Sequence, residues 1–374
     1  MRLTYVLTWA YAVGGTIRTV ITQANAMAAA GHDVELVSVL RTRDEPHFPV
    51  DPRVRMVTLI DRRGGAAPDG APGRLVPADE PRAGTYTAEV EETVARYLRG
   101  VTGGVLVTTR PALNLLAAEH APARLVRVAQ EHLNLGVHRP GTRAAILASY
   151  GRLDAVVTLT EGDRVAYEKA LGGAVRIEQI PNALHTLDVP RADPSARTVV
   201  AAGRLTRQKG FDLLIPAFER VAARFPDWRL RIYGDGEQEA RLRGLVRRRH
   251  LYNHVFLMGA RSNLGAEMTK GSVFALSSRF EGFGMVLAEA MSHGLATVAF
   301  DCPEGPGEII TDGVDGVLVP ARDVDALAAS LCRVIADDQA RRALGTAGLR
   351  TARRYDPDAI RARWEHLFAD LAER

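Results

Sequence analysis

The sequence predicts an α/β protein built from two doubly wound, parallel-stranded domains. With 374 residues, the chain is long enough for two domains that each have their own core. The chain begins with an apolar strand at Leu3–Leu7, continues with a helix over 17–30 and returns as a second strand at Val34–Leu40. This succession is typical of a βαβ unit. The same alternation restarts at Thr198 after a polar, proline-containing segment, residues 186–197, that indicates a linker.

We therefore expect a first domain over residues 1–188, a second over residues 189–355 and a C-terminal helix within 356–374. Residues 62–84 are rich in Gly, Pro, Ala and Arg without periodicity, which predicts a mobile loop or insertion. The remaining predicted strands are 105–109, 125–130, 155–159, 175–180, 229–233, 255–258, 273–276, 296–300 and 316–319. The remaining predicted helices are 86–99, 114–119, 143–151, one beginning at 160–163, 241–250, 285–293, 326–336 and 357–371.

Composition and charge narrow the class of protein. The net charge of +4 is too small to indicate nucleic-acid binding. Cys302 and Cys332 provide neither a disulfide framework nor metal-ligand spacing, and we expect a reducing compartment. Because the N-terminus lacks a signal-peptide pattern and no apolar stretch reaches membrane-spanning length, we expect a cytoplasmic enzyme. The Arg-rich helix over 241–250 predicts a solvated face, with contact to anionic lipid as the alternative.

Two carboxylates frame a glycine turn after the apolar strand 273–276. Glu281 begins Glu-Gly-Phe-Gly, and Glu289 lies eight residues later on the helix that follows. A strand, a glycine turn and a helix start bring backbone N–H groups and a positive helix end to one point, which suits phosphate or polyhydroxyl groups. From the pattern alone, solvated acids at both positions are an equal alternative.

A second loop carries two cations directly after the strand 198–202. Arg204 and Lys209 lie in Gly-Arg-Leu-Thr-Arg-Gln-Lys-Gly, where they are placed to neutralise a pyrophosphate. The loop lacks the glycine, lysine and hydroxyl order of a P-loop. Gly234-Asp235-Gly236 is not followed by the third glycine of a dinucleotide fingerprint, which weakens a dehydrogenase interpretation. Asp323-Val324-Asp325 opens a helix, so we expect a cap there and no metal site.

The first domain offers two candidate sites. Gly14-Gly15 stands at a predicted helix start, where paired glycines let a phosphate approach the backbone, although a plain tight turn explains them too. Glu131, His132 and Asn134 follow the strand 125–130. The carboxyl ends of parallel strands are where open α/β sheets bind ligands. A histidine held by a loop carbonyl is the alternative for His132.

Glu281–Met291 resembles the signature of glycosyltransferase family 4, the retaining, sugar-nucleotide-dependent enzymes of GT-B fold, and Gly-Arg-Leu…Lys-Gly resembles a second motif of that family. The resemblance implies two Rossmann-like domains facing each other across a cleft, with the C-terminal helix crossing back onto the first. It implies an N-terminal acceptor domain and a C-terminal nucleotide-sugar domain. The implied catalytic residues are Glu281, Arg204, Lys209 and His132, and the implied acceptor-binding residues are Glu131, His132 and Asn134. The implied donor-binding residues are Gly14, Gly15, Arg204, Lys209, Gly259, Glu281, Gly282, Phe283, Gly284, Met285, Val286 and Glu289.

The resemblance further implies transfer of a hexosyl unit from a nucleotide sugar, most often UDP-linked, without a metal or another cofactor. The acceptor would be a saccharide, a polymer or a small molecule. The reaction would belong to the biosynthesis of a cell-wall polymer, a lipid-linked saccharide or a natural product. Peripheral contact of the protein with the membrane is a further expectation. Three alternatives stay open: a nucleotide-sugar epimerase, a phosphorylase-like cofactor enzyme and a non-catalytic sugar-nucleotide sensor of the same fold. Analysis of the products formed from donor alone would separate the epimerase from a transferase.

Overall fold

The computed structural model describes residues 1–65 and 70–373, and part of the predicted 62–84 loop, residues 66–69, lies outside the described residues. The chain divides into two compact units, one of residues 1–185 with 357–374 and the other of residues 186–356. The first unit ends three residues before the predicted boundary at 188. The C-terminal helix belongs to the first unit and packs on its first helix.

The first domain is built on a seven-stranded parallel sheet in the order β3-β2-β1-β4-β5-β6-β7. Its strands are β1 (Arg2–Leu7), β2 (Asp33–Arg41), β3 (Arg55–Asp61), β4 (Val105–Thr109), β5 (Val126–Gln130), β6 (Ala155–Thr158) and β7 (Arg176–Gln179). Its helices are α1 (Gly15–Ala29), α2 (Ala88–Gly100), α3 (Arg110–His120), α4 (Pro140–Ser149), α5 (Glu161–Leu171) and, at the C-terminus, α13 (Pro357–Ala372).

The second domain carries a six-stranded parallel sheet in the order β10-β9-β8-β11-β12-β13. Its strands are β8 (Thr198–Ala202), β9 (Arg229–Tyr233), β10 (Val255–Gly259), β11 (Val273–Leu276), β12 (Ala296–Asp301) and β13 (Val317–Pro320). Its helices are α6 (Phe211–Arg224), α7 (Glu239–Arg248), α8 (Leu264–Met268), α9 (Met285–Ser292), α10 (Pro306–Ile309), α11 (Val324–Ala336) and α12 (Asp338–Ala352).

The core lies on both faces of each sheet, as a doubly wound fold requires. Central strands such as β4 and β11 are buried at every residue, which explains why they read as unbroken apolar runs. In the first domain, one face of the sheet packs under α1 and α13 and the other under α2 to α5. Both sheets change direction between two neighbouring strands, β1 and β4 in one and β8 and β11 in the other. This switch is where open α/β sheets bind ligands.

One strand and four helices lie in segments where we predicted no element, namely β3, α6, α8, α10 and α12. Two predictions about caps are confirmed. Thr160 caps α5, its hydroxyl accepting from the Asp163 amide at 3.3 Å. Asp323 caps α11 and accepts from the Ala326 amide at 2.9 Å, so helix capping explains the aspartate in that motif.

Candidate functional site

In the second domain, the loop after β8 and the loop after β11 come together at the carboxyl edge of the sheet. The Lys209 ammonium donates to Glu281 Oε1 at 2.6 Å, although the two residues are 72 positions apart in the chain. Both side chains are largely enclosed, with 16% of Lys209 and 6% of Glu281 exposed. The two motifs that the sequence singled out separately therefore form one site.

Backbone and side-chain contacts hold these two loops in register. The Ser277 hydroxyl donates to the Lys209 carbonyl at 2.9 Å, and the Arg279 amide donates to the Gln208 carbonyl at 2.8 Å. Gly210 has a φ of +63°, and a Cβ there would lie 2.0 Å from the Ser277 carbonyl oxygen. Only glycine permits both this conformation and this approach.

An ion pair between Arg279 and Asp212 also connects the loop after β11 to the start of α6. Arg279 makes two parallel bonds to the Asp212 carboxylate, at 2.8 and 3.0 Å. Burial works against the charge of Asp212, but the guanidinium outweighs it and lowers the pKa of this carboxyl below its ordinary value. Sequence reasoning missed this pair, because Asp212 looks like an ordinary first-turn acid of α6.

Glu281 is held by a second donor that sequence reasoning also missed. The buried Ser278 hydroxyl lies 2.5 Å from Glu281 Oε1, the same oxygen that accepts from Lys209. Two donors fix this carboxylate while the turn that follows leads into α9. Ser278 lies in the stretch that the sequence highlighted, but a serine three residues before a glutamate gives no separate signal.

The glycine turn ends in the helix start that the pattern predicted. Gly284 caps α9 with a φ of +93°, and α9 begins at Met285. Phe283 is buried and packs edge-on against Tyr355, with ring centroids 5.4 Å apart. Glu289 lies half-buried in the middle of α9, and Met285 and Val286 are also half-buried at its start.

The other predicted donor residues lie at loop ends. Arg204 is exposed, and it has no ion-pair partner among residues 1–65 and 70–373. Gly259 ends β10 in a left-handed conformation with φ +72°. In the first domain, Gly14 is the residue before α1 and Gly15 is its first residue. Arg204 is thus an exposed cation on the same loop as Lys209 that can contact an anionic ligand.

The predicted acceptor residues of the first domain follow β5, and the structure encloses two of them. Glu131 is 1% exposed and accepts from Asn114 Nδ2 at 2.8 Å and from the Tyr150 hydroxyl. His138 Nε2 lies 3.8 Å from its second oxygen. Burial alone would raise the pKa of Glu131, but His138 and the other donors keep it below its ordinary value. Asn134 is also buried.

The contacts of Glu131 are those of a group that positions the loop carrying His132. Its Oε1 accepts from Asn114 and Tyr150, and its buried Oε2 has no hydrogen-bond partner among the described residues. Binding of an acceptor hydroxyl by Glu131 stays a prediction. Neither Asn114 nor Tyr150 could be found from sequence, because they come from α3 and from the turn after α4. Asn114 also accepts from Thr108 at 2.8 Å, which extends the network to β4.

His132 is the predicted acceptor residue whose surroundings most affect its charge. Burial lowers its pKa to about 4, with the neighbouring Glu131 opposing and Arg110 reinforcing this shift. Its Nε2 is buried, and no described residue forms a hydrogen bond with it. Arg110 itself has a φ of +72° directly after β4 and pairs with the buried Glu80 at 3.3 Å. The site therefore presents a neutral imidazole, whose free nitrogen can accept or donate one hydrogen bond.

The two Rossmann-like α/β domains have the GT-B fold, which the chain shares with the solved structures of TarM and of a sucrose-phosphate synthase. Residues 188–351, most of the second domain, match the family model described as glycosyl transferases group 1.

Over its whole length, this chain is 37% identical to an exopolysaccharide phosphotransferase of Streptomyces coelicolor, and it spans 41% of that longer protein. It is 27% identical to the amylovoran biosynthesis glycosyltransferase AmsD of Erwinia amylovora, over 95% of each chain. Among solved structures, a mutant of TarM from S. aureus, in complex with fondaparinux, α-GlcNAc-glycerol and UDP, superposes with a TM-score of 0.80. That match covers 98% of this chain and 99% of TarM at 14% identity.

Proposed function

We propose that this protein is a retaining glycosyltransferase that moves a hexosyl unit from a UDP-sugar to a hydroxyl of a saccharide or wall-type polymer. The observation that carries the proposal is the 2.6 Å contact between Lys209 and Glu281. It joins the cation of one motif to the carboxylate of the other at the edge of a parallel sheet where such folds bind nucleotides. The kinship to proteins of exopolysaccharide and amylovoran synthesis supports the class of acceptor.

The donor diphosphate would lie against Arg204, Lys209 and the amides at the start of α9. Negative charge grows on the diphosphate as the sugar leaves, so cations placed there stabilise the transition state more than the ground state. Glu281 would hold a sugar hydroxyl, and Glu289 would hold the ribose. UDP in the similar TarM complex favours uracil as the base.

Retention would proceed by attack on the same face from which the diphosphate leaves. Glu131 is 1% exposed and its Oε1 accepts from Asn114 and Tyr150, which favours a positioning role over that of a covalent nucleophile. His132, neutral through the physiological range, would bind the acceptor or a sugar hydroxyl rather than supply charge. We infer that the departing phosphate takes the proton of the acceptor hydroxyl, and that neither metal nor cofactor takes part. The protein would work in the cytoplasm.

The test is a donor panel followed by product analysis. UDP, GDP, ADP and their common sugar conjugates are screened by thermal shift without added metal, since a ligand of the folded state raises its melting temperature. We expect a shift with UDP species that is lost in Glu289→Ala and Lys209→Ala. The selected donor is then incubated with saccharide and polymer acceptors, and the anomeric configuration of the product is read by NMR.

Each outcome of this panel bears on the proposal. A new glycosidic bond with the donor's anomeric configuration supports it, and an inverted product refutes the retaining mechanism. Conversion of the donor sugar without an acceptor would identify an epimerase instead. Binding of UDP with slow hydrolysis and no transfer to any acceptor would identify a sensor.

A further inference from the structure

Helix α4 in the first domain, with the 3-10 turn Leu135–Val137 before it, has an unusual distribution of side chains. Across residues 132–153 the chain contains no Asp or Glu, but it contains three arginines. The inward positions of α4, Thr142 and Ile146, are buried in the domain. Such a stretch normally carries mixed charges on its outer face.

The outer face of α4 is apolar instead. Pro140, Ala144, Leu147 and Ala148 are exposed, and at 100° per residue they fall on one side of the helix. Leu147 has 39% of its surface exposed, and Val137, just before the helix, has 43%. A soluble helix gains nothing from this arrangement, because apolar side chains in water are unfavourable. A partner that takes up apolar side chains would explain it.

Two exposed arginines flank this face. Arg139 and Arg143 are exposed, and neither has an ion-pair partner among residues 1–65 and 70–373. The acid nearest to the start of α4, Asp79, accepts from the Gly141 amide at 2.7 Å and from the Thr142 amide and hydroxyl at 2.8 Å. This carboxylate is occupied by the helix start, although its field still reaches Arg139.

We propose that residues 137–148 form a docking face for the surface of a bilayer rich in anionic phospholipids. Apolar side chains between cations match such a surface, where the side chains enter the headgroup boundary and the arginines pair with lipid phosphates. A second protein copy fits less well, because five exposed apolar side chains provide far less area than a stable interface buries. Nucleic acid offers no place for the apolar centre.

The inference goes beyond the proposed function and does not depend on it, because binding to vesicles needs neither donor nor acceptor. Among the described residues no helix is both long and apolar enough to cross a membrane, so the contact proposed here is with the surface. It would bring the first domain to acceptors that are built on a lipid.

The first experiment is co-sedimentation of the full chain with vesicles of phosphatidylglycerol and phosphatidylcholine, compared with phosphatidylcholine alone. Each arginine near an anionic surface strengthens binding by roughly fivefold. The double variant Arg139→Glu/Arg143→Glu should therefore bind anionic vesicles at least roughly 25-fold more weakly than the parent. The matched control is Arg247→Glu/Arg248→Glu on α7, which also reverses two exposed arginines without ion-pair partners among the described residues.

The α7 control distinguishes binding of vesicles by the α4 face from general electrostatic attraction between the protein and an anionic surface. We expect the α7 variant to keep parent-like binding. Equal loss in both variants, or no binding of the parent to anionic vesicles, would overturn the proposal. Transfer to a soluble acceptor should be unchanged in the α4 variant, so failure of this proposal and failure of the glycosyltransferase assignment give different results.

The second experiment tests whether the side chain at position 147 enters the bilayer. Cys302 and Cys332 are both buried, so Leu147→Cys can be labelled selectively with an environment-sensitive fluorophore. We expect a blue shift when anionic vesicles are added. The control is Val314→Cys, at an exposed valine of the second domain with 59% of its surface accessible, which should show no shift. An unshifted probe at position 147 on vesicle-bound protein would refute insertion of this face.

Discussion

The contact between Lys209 and Glu281 makes a quantitative prediction about stability that needs no substrate. The pair is enclosed, and Ser278 shares the same oxygen of Glu281. Removing one partner leaves the other charge buried with too few partners, which costs about 3–5 kcal/mol for fully buried pairs. Because Lys209 keeps a little contact with water, we expect about 2–3 kcal/mol for Lys209→Met and about 2 kcal/mol for Glu281→Gln.

The double variant Lys209→Met/Glu281→Gln should cost much less than the sum of the single changes. With both charges gone, no unpaired ion is left, so we expect a total near 2 kcal/mol and a coupling energy of about 2–3 kcal/mol. The assay is urea unfolding of the four proteins, followed by circular dichroism. The matched control is Arg243 and Glu239 on α7, an ion pair at 2.7 Å with 52% and 40% of the side chains exposed.

For that exposed pair, Arg243→Met and Glu239→Gln should couple by less than about 0.5 kcal/mol. A coupling at the site as small as in this control would refute the argument, since it would mean that Lys209 and Glu281 do not share a desolvated contact. A large coupling would show that the two motifs form one unit in the absence of ligand.

Three further predictions concern single residues. Gly210→Ala should destabilise the protein by at least about 1 kcal/mol, through its left-handed φ and the clash with Ser277, and should lower the melting temperature; an unchanged melting temperature would contradict it. Ser278→Ala should lower kcat more than it changes KM, because Glu281 loses one of its two donors. Ser278→Thr keeps a hydroxyl and should restore part of the rate. An equal loss of rate in both variants would indicate a packing defect alone. His132 has a pKa of about 4 in the folded state and near 6.5 in the unfolded state, so the unfolded protein binds its proton first as the pH falls. The stability that neutral His132 contributes is therefore fully present above pH 6.5. Between pH 7 and 5 it should fall by about 2 kcal/mol. Urea unfolding at both pH values should show a smaller fall for His132→Asn, and an unchanged fall would contradict this prediction.

Much of the fold could be predicted because its central strands are buried on both faces. The strands β4, β9 and β11 were predicted at their observed bounds. β4 and β11 are buried at every residue, whereas β9 alternates two arginines with apolar residues. β3 is an edge strand whose residues are only half-buried. It was overlooked although residues 56–60, Met-Val-Thr-Leu-Ile, are apolar at four of five positions, a pattern that favours a strand.

Helix α12 was missed for a physical reason. Its sequence holds Gly345 and Gly348, which look like helix breakers. In the structure, a Cβ on Gly345 would lie 2.2 Å from the Gly294 carbonyl oxygen, so the glycine lets α12 pack closely beside the end of α9. Glycine as a packing residue cannot be told from glycine as a turn residue without knowing which surface comes near.

The candidate site shows the same division between local and distant information. Arg204, Lys209 and Glu281 could be singled out because each lies in a loop that follows a strand or precedes a helix. Glu289 could be singled out because it lies on the helix of the same motif as Glu281. The contact between Lys209 and Glu281 could not, since it joins loops that are 72 residues apart. The partners of Glu131 likewise come from separate elements, so sequence alone could not show that its carboxylate is enclosed.

The two candidate sites enclose their carboxylates with different kinds of donor. In the first domain, Asn114 and Tyr150, both uncharged, donate to Glu131 Oε1 and fix the loop of His132. In the second domain, two donors also converge on Glu281 Oε1, and one of them is the charged ammonium of Lys209. A carboxylate oxygen can accept further bonds, and the Lys209 ammonium has two more protons to donate. This pair can therefore hold its geometry and still engage a sugar hydroxyl and a phosphate, and that is why the chemistry is assigned to this contact.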